Sequence, residues 1–451
     1  MSETVTISLP EKVRYIINTI TKAGYEAFAV GGCIRDSILG QIPDDWDITT
    51  SASPPQVKRL FAWTLDTGIK HGTVTVMLDK EGFEVTTYRI DGDYEDGRHP
   101  KEVTFTSSLI EDLKRRDFTV NAMAYNDQTG LVDAFEGIKD LNAGIIRCVG
   151  SPRERFSEDA LRILRAVRFS ARLGYEIEPQ TLDAIRELAP NLIHVSAERI
   201  QAELTKLVVS PHPENFKIAY ETGITRIILP EFDACMKTEQ NNPHHCYSVG
   251  EHILKSMQEI SPDKILRLAM LFHDIGKPLT QTVDENGIHH FHGHPAVSEK
   301  IAGSVLKRLK FDNHTISMVT GLVKYHDQKV LPEPQYVRRA ILRMGEDIFP
   351  LLYDVKLADL RAQSNFQRRE KEENLDAVYQ IYRQIMDEGQ CVSLKTLAIS
   401  GRDLIDHTGM KPGRELGETL QNLLDMVIED PSLNKRETLL KIAGSSAGDF
   451  K

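Results

Sequence analysis

The sequence predicts an α+β protein in which a small mixed α/β head is followed by all-α domains. Three observations carry this. Residues 28–30 form an apolar run that stops at Gly31-Gly32, after which Ile34, Ile38 and Leu39 recur at helical spacing up to Gly40, giving a strand, a tight turn and a short helix. Two further strand-like runs, GTVTVML and FEVTTYR, follow before residue 90. From residue 155 onward apolar positions recur with helical spacing, and the text beyond residue 230 becomes rich in histidine.

The chain has 451 residues, too many for one compact domain. Changes of pattern divide it into a head (1–150), a neck (151–228), a histidine-rich domain (229–365) and a helical tail (366–451). The formal net charge of −11 argues against an indiscriminate nucleic-acid binder, so any RNA contact must use a local basic surface. There is no run of about 18 apolar residues and the first residues do not read as a signal peptide, which makes the cytoplasm the expected location and a membrane partner unexpected. Cys33, Cys148, Cys235, Cys246 and Cys391 are scattered and odd in number, and read as reduced thiols.

In order along the head, residues 1–24 read as a helix with Val13, Ile16, Ile17 and Ile20 on one face. Glycines at the following turn, Gly31 and Gly32, let backbone approach phosphate, and Arg35 sits where it could add a charge. Asp45-Trp46-Asp47-Ile48-Thr49 has strand-like composition, and acids two apart leave a strand on one face. Paired carboxylates of this kind hold divalent ions about 3.5–4 Å apart for phosphoryl or nucleotidyl transfer; the alternative is a solvated acidic edge. Ser53-Pro54-Pro55 opens another helix. Glu84, Thr86 and Tyr88 share a strand face, making Glu84 a candidate third carboxylate or else an exposed strand acid. The polar, glycine-containing stretch 91–103 predicts a loop near the chemistry or a plain connector. In Arg115-Arg116-Asp117 the adjacent arginines suit a triphosphate, and the Asp suits a ribose hydroxyl.

Over 155–169 a helical projection puts Ala160, Leu161, Leu164 and Val167 on one arc and Glu158, Asp159, Arg162 and Arg165 on the other, so that Asp159 and Arg162 are expected as neighbours. Such a pair is either a surface ion pair or a reader of base edges. Adenine and cytosine both present an amino donor beside a ring-nitrogen acceptor, which a carboxylate and a guanidinium match, whereas guanine and uracil present the reverse.

These motifs, GGCIRD, DDWDITTSA, RRDFTVNA, EDALR and AERI with Glu203-Leu204, resemble the signatures of class II nucleotidyltransferases, the family of bacterial tRNA CCA-adding enzymes and poly(A) polymerases. The resemblance runs over nearly the whole chain. It implies template-independent addition of CCA to tRNA 3′ ends from CTP and ATP, with Asp45 and Asp47 holding Mg2+, an acid at the place of Glu84, and phosphate contacts from Gly32, Arg35 and Arg116. It further implies base recognition by Asp159 and Arg162, nucleotide contacts from Arg165 and Arg168, a bracing helix at 197–204, a loop at 91–103 that switches from C to A addition, and a tail that meets tRNA. The text NNPHHCYSVGEHIL, LAMLFHDIGKP, HFHGHP, LVKYHD and VKLADLRA resembles an HD domain. That resemblance implies a metal shell of His252, His273, Asp274 and Asp359, with His294 and His326 as additional ligands. Imidazole and carboxylate together suit a transition metal better than Mg2+ alone. Two alternatives stay open: a relative that adds only the terminal A or makes poly(A), and an HD phosphohydrolase whose head binds RNA.

Overall fold

The computed structural model describes residues 5–91 and 103–446, so the loop expected at 91–103 lies outside the described residues apart from its two ends. The chain forms two compact units, Met1–Asp233 and Ala234–Lys451.

The first unit opens with α1 (Glu11–Lys22), whose Val13, Ile16, Ile17 and Ile20 are all buried, the face expected from their spacing. The strands are β1 (Ala27–Val30), β2 (Ile48–Thr50), β3 (Thr64–Gly68), β4 (Thr73–Leu78), β5 (Glu81–Thr87), β6 (Arg89–Asp91), β7 (Val103–Phe105), β8 (Ala124–Asn126) and β9 (Gly130–Val132). Seven of them make one mixed sheet in the order β3-β4-β5-β2-β1-β8-β9, while β6 and β7 pair separately. β2 is central, parallel to β5 and antiparallel to β1. Around the sheet lie α2 (Gly32–Ile38), α3 (Pro54–Leu60), α4 (Leu109–Lys114) and α5 (Gly137–Ala143).

Two local expectations are corrected. The strand expected from Asp45 starts only at Ile48, because Pro43, Asp44 and Asp45 are poor strand formers; the ladder reaches as far back as the Asp47 carbonyl, which accepts the Val30 N–H at 3.0 Å. The single helix expected over 155–169 is two, α6 (Pro152–Glu158) and α7 (Leu161–Leu173). Between them Asp159 is extended (φ −143°, ψ 103°) and its carboxylate accepts the Leu161 N–H at 3.1 Å. An aspartate that can cap the next helix competes with continuing the previous one. The neck continues with α8 (Pro179–Leu188), α9 (Ala197–Val208) and two short helices, Phe216–Glu221 and Thr225–Ile228, and Ile163, Leu164, Val167, Leu204 and Leu207 are fully buried.

The second unit is helical apart from a short hairpin, Thr282–Val283 with His289–His290. Helices Val249–Gln258, Lys264–Phe272, His294–Arg308, Asn313–Tyr325 and Leu351–Arg361 converge on a histidine cluster. The tail has its own core of Leu404, Leu423, Leu424, Val427 and Leu439, with Leu416 and Leu420 packed against it.

Candidate active site and metal centre

Strand register gathers the acidic residues of the head. Ile48 pairs with Val85 in parallel and Ala29 with Ile48 antiparallel, so Asp47, Glu84 and the Gly31 turn lie at one end of adjacent strands. Asp47 has its pKa raised by burial, opposed by Arg116 and reinforced by the negative charges of Asp45 and Glu84. Hard oxygen donors of this kind suit Mg2+, which would offset their mutual repulsion.

Gly31 has φ 87° and ψ −131°, a conformation open essentially to glycine alone. A Cβ there would lie 2.9 Å from Arg116 Nη1, so the turn and this guanidinium are in direct contact. Arg116 is the least satisfied motif arginine: its nearest carboxylate oxygen, of Asp112, is 3.9 Å away, and its Nε has no hydrogen-bond partner among the described residues. Burial lowers its pKa, against Asp112 which raises it. A partly buried guanidinium left wanting acceptors beside a glycine turn and a carboxylate is a ready triphosphate contact.

Arg35 departs from expectation. It is 1% exposed, and its guanidinium donates to Asp36 Oδ1 at 2.8 Å and to Asn121 Oδ1 at 2.5 Å. It stiffens the turn from beneath. Arg165 and Arg168 are likewise engaged internally. Arg165 binds Asp117 Oδ2 (2.6 and 2.8 Å), and Arg168 lies 2.6 Å from Glu203 and over the Phe169 ring at 4.0 Å. Asp117, which burial alone would raise, is brought down to about 2 by Arg165 and Arg162, and burial leaves Arg168 at about 10. The expected direct Asp159–Arg162 ion pair gives way to separate partners, because the chain turns at Asp159. Asp159 is held by Arg199 (3.1 and 2.6 Å), and Arg162 donates to Glu158 at 2.6 Å and to the Arg115 carbonyl at 2.9 Å.

In the second unit Asp274 lies at the centre. Its Oδ2 is 3.3 Å from His273 Nε2 and 3.5 Å from His252 Nε2, and its Oδ1 is 3.2 Å from His294 Nε2 and 3.6 Å from His326 Nε2. Asp359 approaches His252 Nε2 at 2.9 Å and His273 Nε2 at 3.7 Å. Two ligand groups result, His252-His273-Asp274 and Asp274-His294-His326.

The outward nitrogens of His273, His294 and His326 are fixed by carbonyls: Nδ1 faces Met270 O (2.7 Å), Phe291 O (2.8 Å) and Val323 O (2.7 Å). Each Nε2 therefore turns a lone pair inward, and His294 Nε2 faces His326 Nε2 at 3.2 Å. Opposed lone pairs at that distance call for a cation between them, and carbonyl-tied Nδ1–H groups are the usual support of metal-ligating histidines. A cavity of about 1060 Å³ opens on the centre, with Lys277, Lys329, Lys356 and Lys371 in its lining.

The sequence reading missed several supporting residues. Asp112 is fully buried and accepts from Thr49 Oγ1 (3.0 Å) and Arg115 Nε (2.9 Å); its place three and four residues before the arginine pair was a readable signal. Lys277, three residues after Asp274, forms an ion pair with Asp274 Oδ2 at 2.7 Å and donates to Gln240 Oε1 at 2.8 Å. Asn121 carried no comparable signal, since Arg35 lies 86 residues away, and neither did the second partner of Asp36, Arg172, 136 residues on.

Comparison with known proteins agrees with this geometry. Residues 27–147 match the poly A polymerase head domain, 174–236 an RNA- and SrmB-binding site of polymerase A, and 282–443 tRNA nucleotidyltransferase domain 2. The CCA-adding enzyme of Limosilactobacillus reuteri is 35% identical over 439 residues, covering 96% of this chain and 95% of that one. That of Lactiplantibacillus plantarum is 35% identical over 436 residues, covering 95% and 94%. Among solved structures, the Bacillus stearothermophilus CCA-adding enzyme in complex with CTP superposes with a TM-score of 0.72 at 28% identity, covering 97% of each chain. The Thermotoga maritima CCA-adding enzyme complexed with tRNA shares the fold, with a TM-score of 0.56 at 20% identity over 98% of this chain and 97% of that one. At 35% identity to curated CCA-adding enzymes over 95–96% of its length, the chain belongs to the CCA-adding enzymes, the tRNA nucleotidyltransferase family.

Proposed function

We propose that the chain carries out its family's reaction, addition of C, C and A to the 3′ end of tRNA from CTP and ATP, on a platform formed by Asp45, Asp47 and Glu84. The observation that supports the residue assignment is the strand register that sets Asp47 beside Glu84 near the Gly31 turn, against which Arg116 lies. Mg2+, when bound, makes the attacking 3′-hydroxyl more acidic and offsets charge on the departing pyrophosphate. Arg116 and the backbone at Gly32 bind the triphosphate, and Asp159 with Arg162 accepts from and donates to the base edge shared by C and A. Arg165 presents its partly exposed side to the nucleotide, while Arg35 and Arg168 support the site from inside. The enzyme works in the cytoplasm.

The test is incorporation of labelled CTP and ATP, with Mg2+, into tRNA transcripts ending at the discriminator base, at C and at CC. Two C residues, then one A, then arrest is the expected result, and Asp47→Ala should abolish it. Addition of A to the CC transcript alone would mean an A-adding enzyme, and long A tails would mean a poly(A) polymerase.

A second activity is favoured by the inward-facing imidazoles of the second unit. We read it as an HD-type metal phosphohydrolase, with His252, His273, Asp274 and Asp359 as one ligand group and His294 and His326 joining Asp274 in the other. The lysines of its cavity suit a phosphate ester. Asp274→Ala should abolish release of phosphate from such esters and leave CCA addition intact.

A further inference from the structure

Arg199 opens α9 and approaches Asp159 with both terminal nitrogens, Nη1 to Oδ1 at 3.1 Å and Nη2 to Oδ2 at 2.6 Å. Both side chains are largely shielded, 21% and 17% exposed. A carboxylate has about four acceptor positions, two per oxygen. On Oδ1, one is taken by Arg199 Nη1 and the other by the Leu161 N–H at 3.1 Å. On Oδ2, Arg199 Nη2 takes one. The carboxylate plane is thus fixed, and one aimed acceptor position is left, on Oδ2.

We infer that Arg199 is a positioning residue for nucleobase discrimination: by holding both oxygens of Asp159 it leaves a single fixed acceptor for the incoming base. The inference rests on the reading of Asp159 as a base-reading group. A single fixed acceptor suits the exocyclic amino group of cytosine or adenine, with the neighbouring ring nitrogen left to a donor such as Arg162. The same acceptor meets a carbonyl oxygen on uracil or guanine, and the two oxygens repel. Without Arg199 the carboxylate remains tethered through Leu161 but can rotate about Cβ–Cγ. Both oxygens then open to ring N–H donors, which uracil carries at N3 and guanine at N1, and rejection weakens. α9 also braces the arginines of α7, since Glu203, one turn on from Arg199, holds Arg168 at 2.6 Å and faces Arg165 at 3.7 Å.

The experiment measures kcat/KM for CTP and for UTP separately, on a tRNA transcript ending at the discriminator base, with the full-length chain and its Arg199→Ala, Arg199→Lys and Asp159→Asn variants. The expected result is that both Arg199 variants lower the CTP-over-UTP ratio by on the order of tenfold to a hundredfold, the worth of one well-aimed hydrogen bond to a charged group. Lysine does not rescue, because a single ammonium cannot hold two oxygens in one plane. The Arg199→Ala, Asp159→Asn double variant should discriminate no worse than Asp159→Asn alone. If Arg199 only supports the fold, both nucleotides lose efficiency alike and the ratio stands, which overturns the inference. If Asp159→Asn leaves the ratio unchanged, the base-reading assignment itself fails and takes the inference with it. Should Arg199→Ala not fold, Arg199→Lys carries the test.

Discussion

Asp274 is the residue common to both ligand groups of the second unit, with one oxygen toward His252 and His273 and the other toward His294 and His326. A carboxylate so placed would serve both ligand groups if ions were bound, and its loss should act on both. Chain loaded with Mn2+, Co2+, Ni2+ or Zn2+ and dialysed is expected to retain about two ions. Asp274→Asn should retain almost none, whereas His294→Ala should keep about one, because it leaves the whole first group, His252, His273 and Asp274, in place. Ions bound at about 100 times their dissociation constant stabilise a fold by about 2.7 kcal/mol each, so chelation should lower the melting of the wild-type second unit and leave Asp274→Asn unmoved. Elemental analysis with thermal melting, with and without EDTA, reads both quantities. An Asp274→Asn chain that kept the wild-type metal content would refute the bridging geometry. Every head residue assigned to nucleotide transfer lies in Met1–Asp233, so CCA addition by Asp274→Asn should equal wild type.

Gly31→Ala must place a Cβ 2.9 Å from Arg116 Nη1 at φ 87°, which costs roughly 1–3 kcal/mol of backbone strain and displaces the guanidinium; steady-state kinetics should show a higher KM for CTP and ATP together with lower kcat. Asp117 gives a pH dependence. Its folded pKa of about 2 lies below its ordinary value of 3.8, so its contribution is fully present above about pH 5 and fades as pH falls toward 2. That difference corresponds to about 2 kcal/mol. Asp117→Asn should therefore be markedly less stable than wild type at pH 7, with the gap between their melting temperatures narrowing by pH 3; a constant gap would show that the charge of Asp117 does not matter.

What was legible in the sequence was whatever periodicity encodes. The apolar face of α1, the strand that ends at Gly31 and the tail helix face around Leu423 and Leu424 follow from spacing alone, because burial repeats with the helix or strand period. The histidine cluster was legible as a set of residue types, and the fold brings the set together from five helices and their ends. The break at Asp159 was not legible: the apolar arc runs straight through it, and a side chain bonding its own backbone two residues on overrides the arc locally. Nor was the sharing of Asp274 between two groups, which depends on where four helices cross.

Partner choice was the least legible level, and it changes what a motif arginine means. A buried guanidinium is tolerable only if a carboxylate or comparable acceptor meets it, so an arginine repeated through a helix calls for acids elsewhere in the fold. Along α7, Arg165 meets Asp117, Arg168 meets Glu203 and Arg172 meets Asp36 at 3.0 Å, and in α2 Arg35 meets Asp36. All three of these acids, Asp36, Asp117 and Glu203, are themselves within or beside a motif, so sequence text that resembles a row of ligand contacts is in part a set of matched internal pairs. Arg116 differs: its nearest acid, Asp112, is 3.9 Å off, against 2.6–3.0 Å for the acids of these four. Substituting Arg35 or Arg168 should therefore register first as lost stability, and substituting Arg116 first as lost nucleotide affinity.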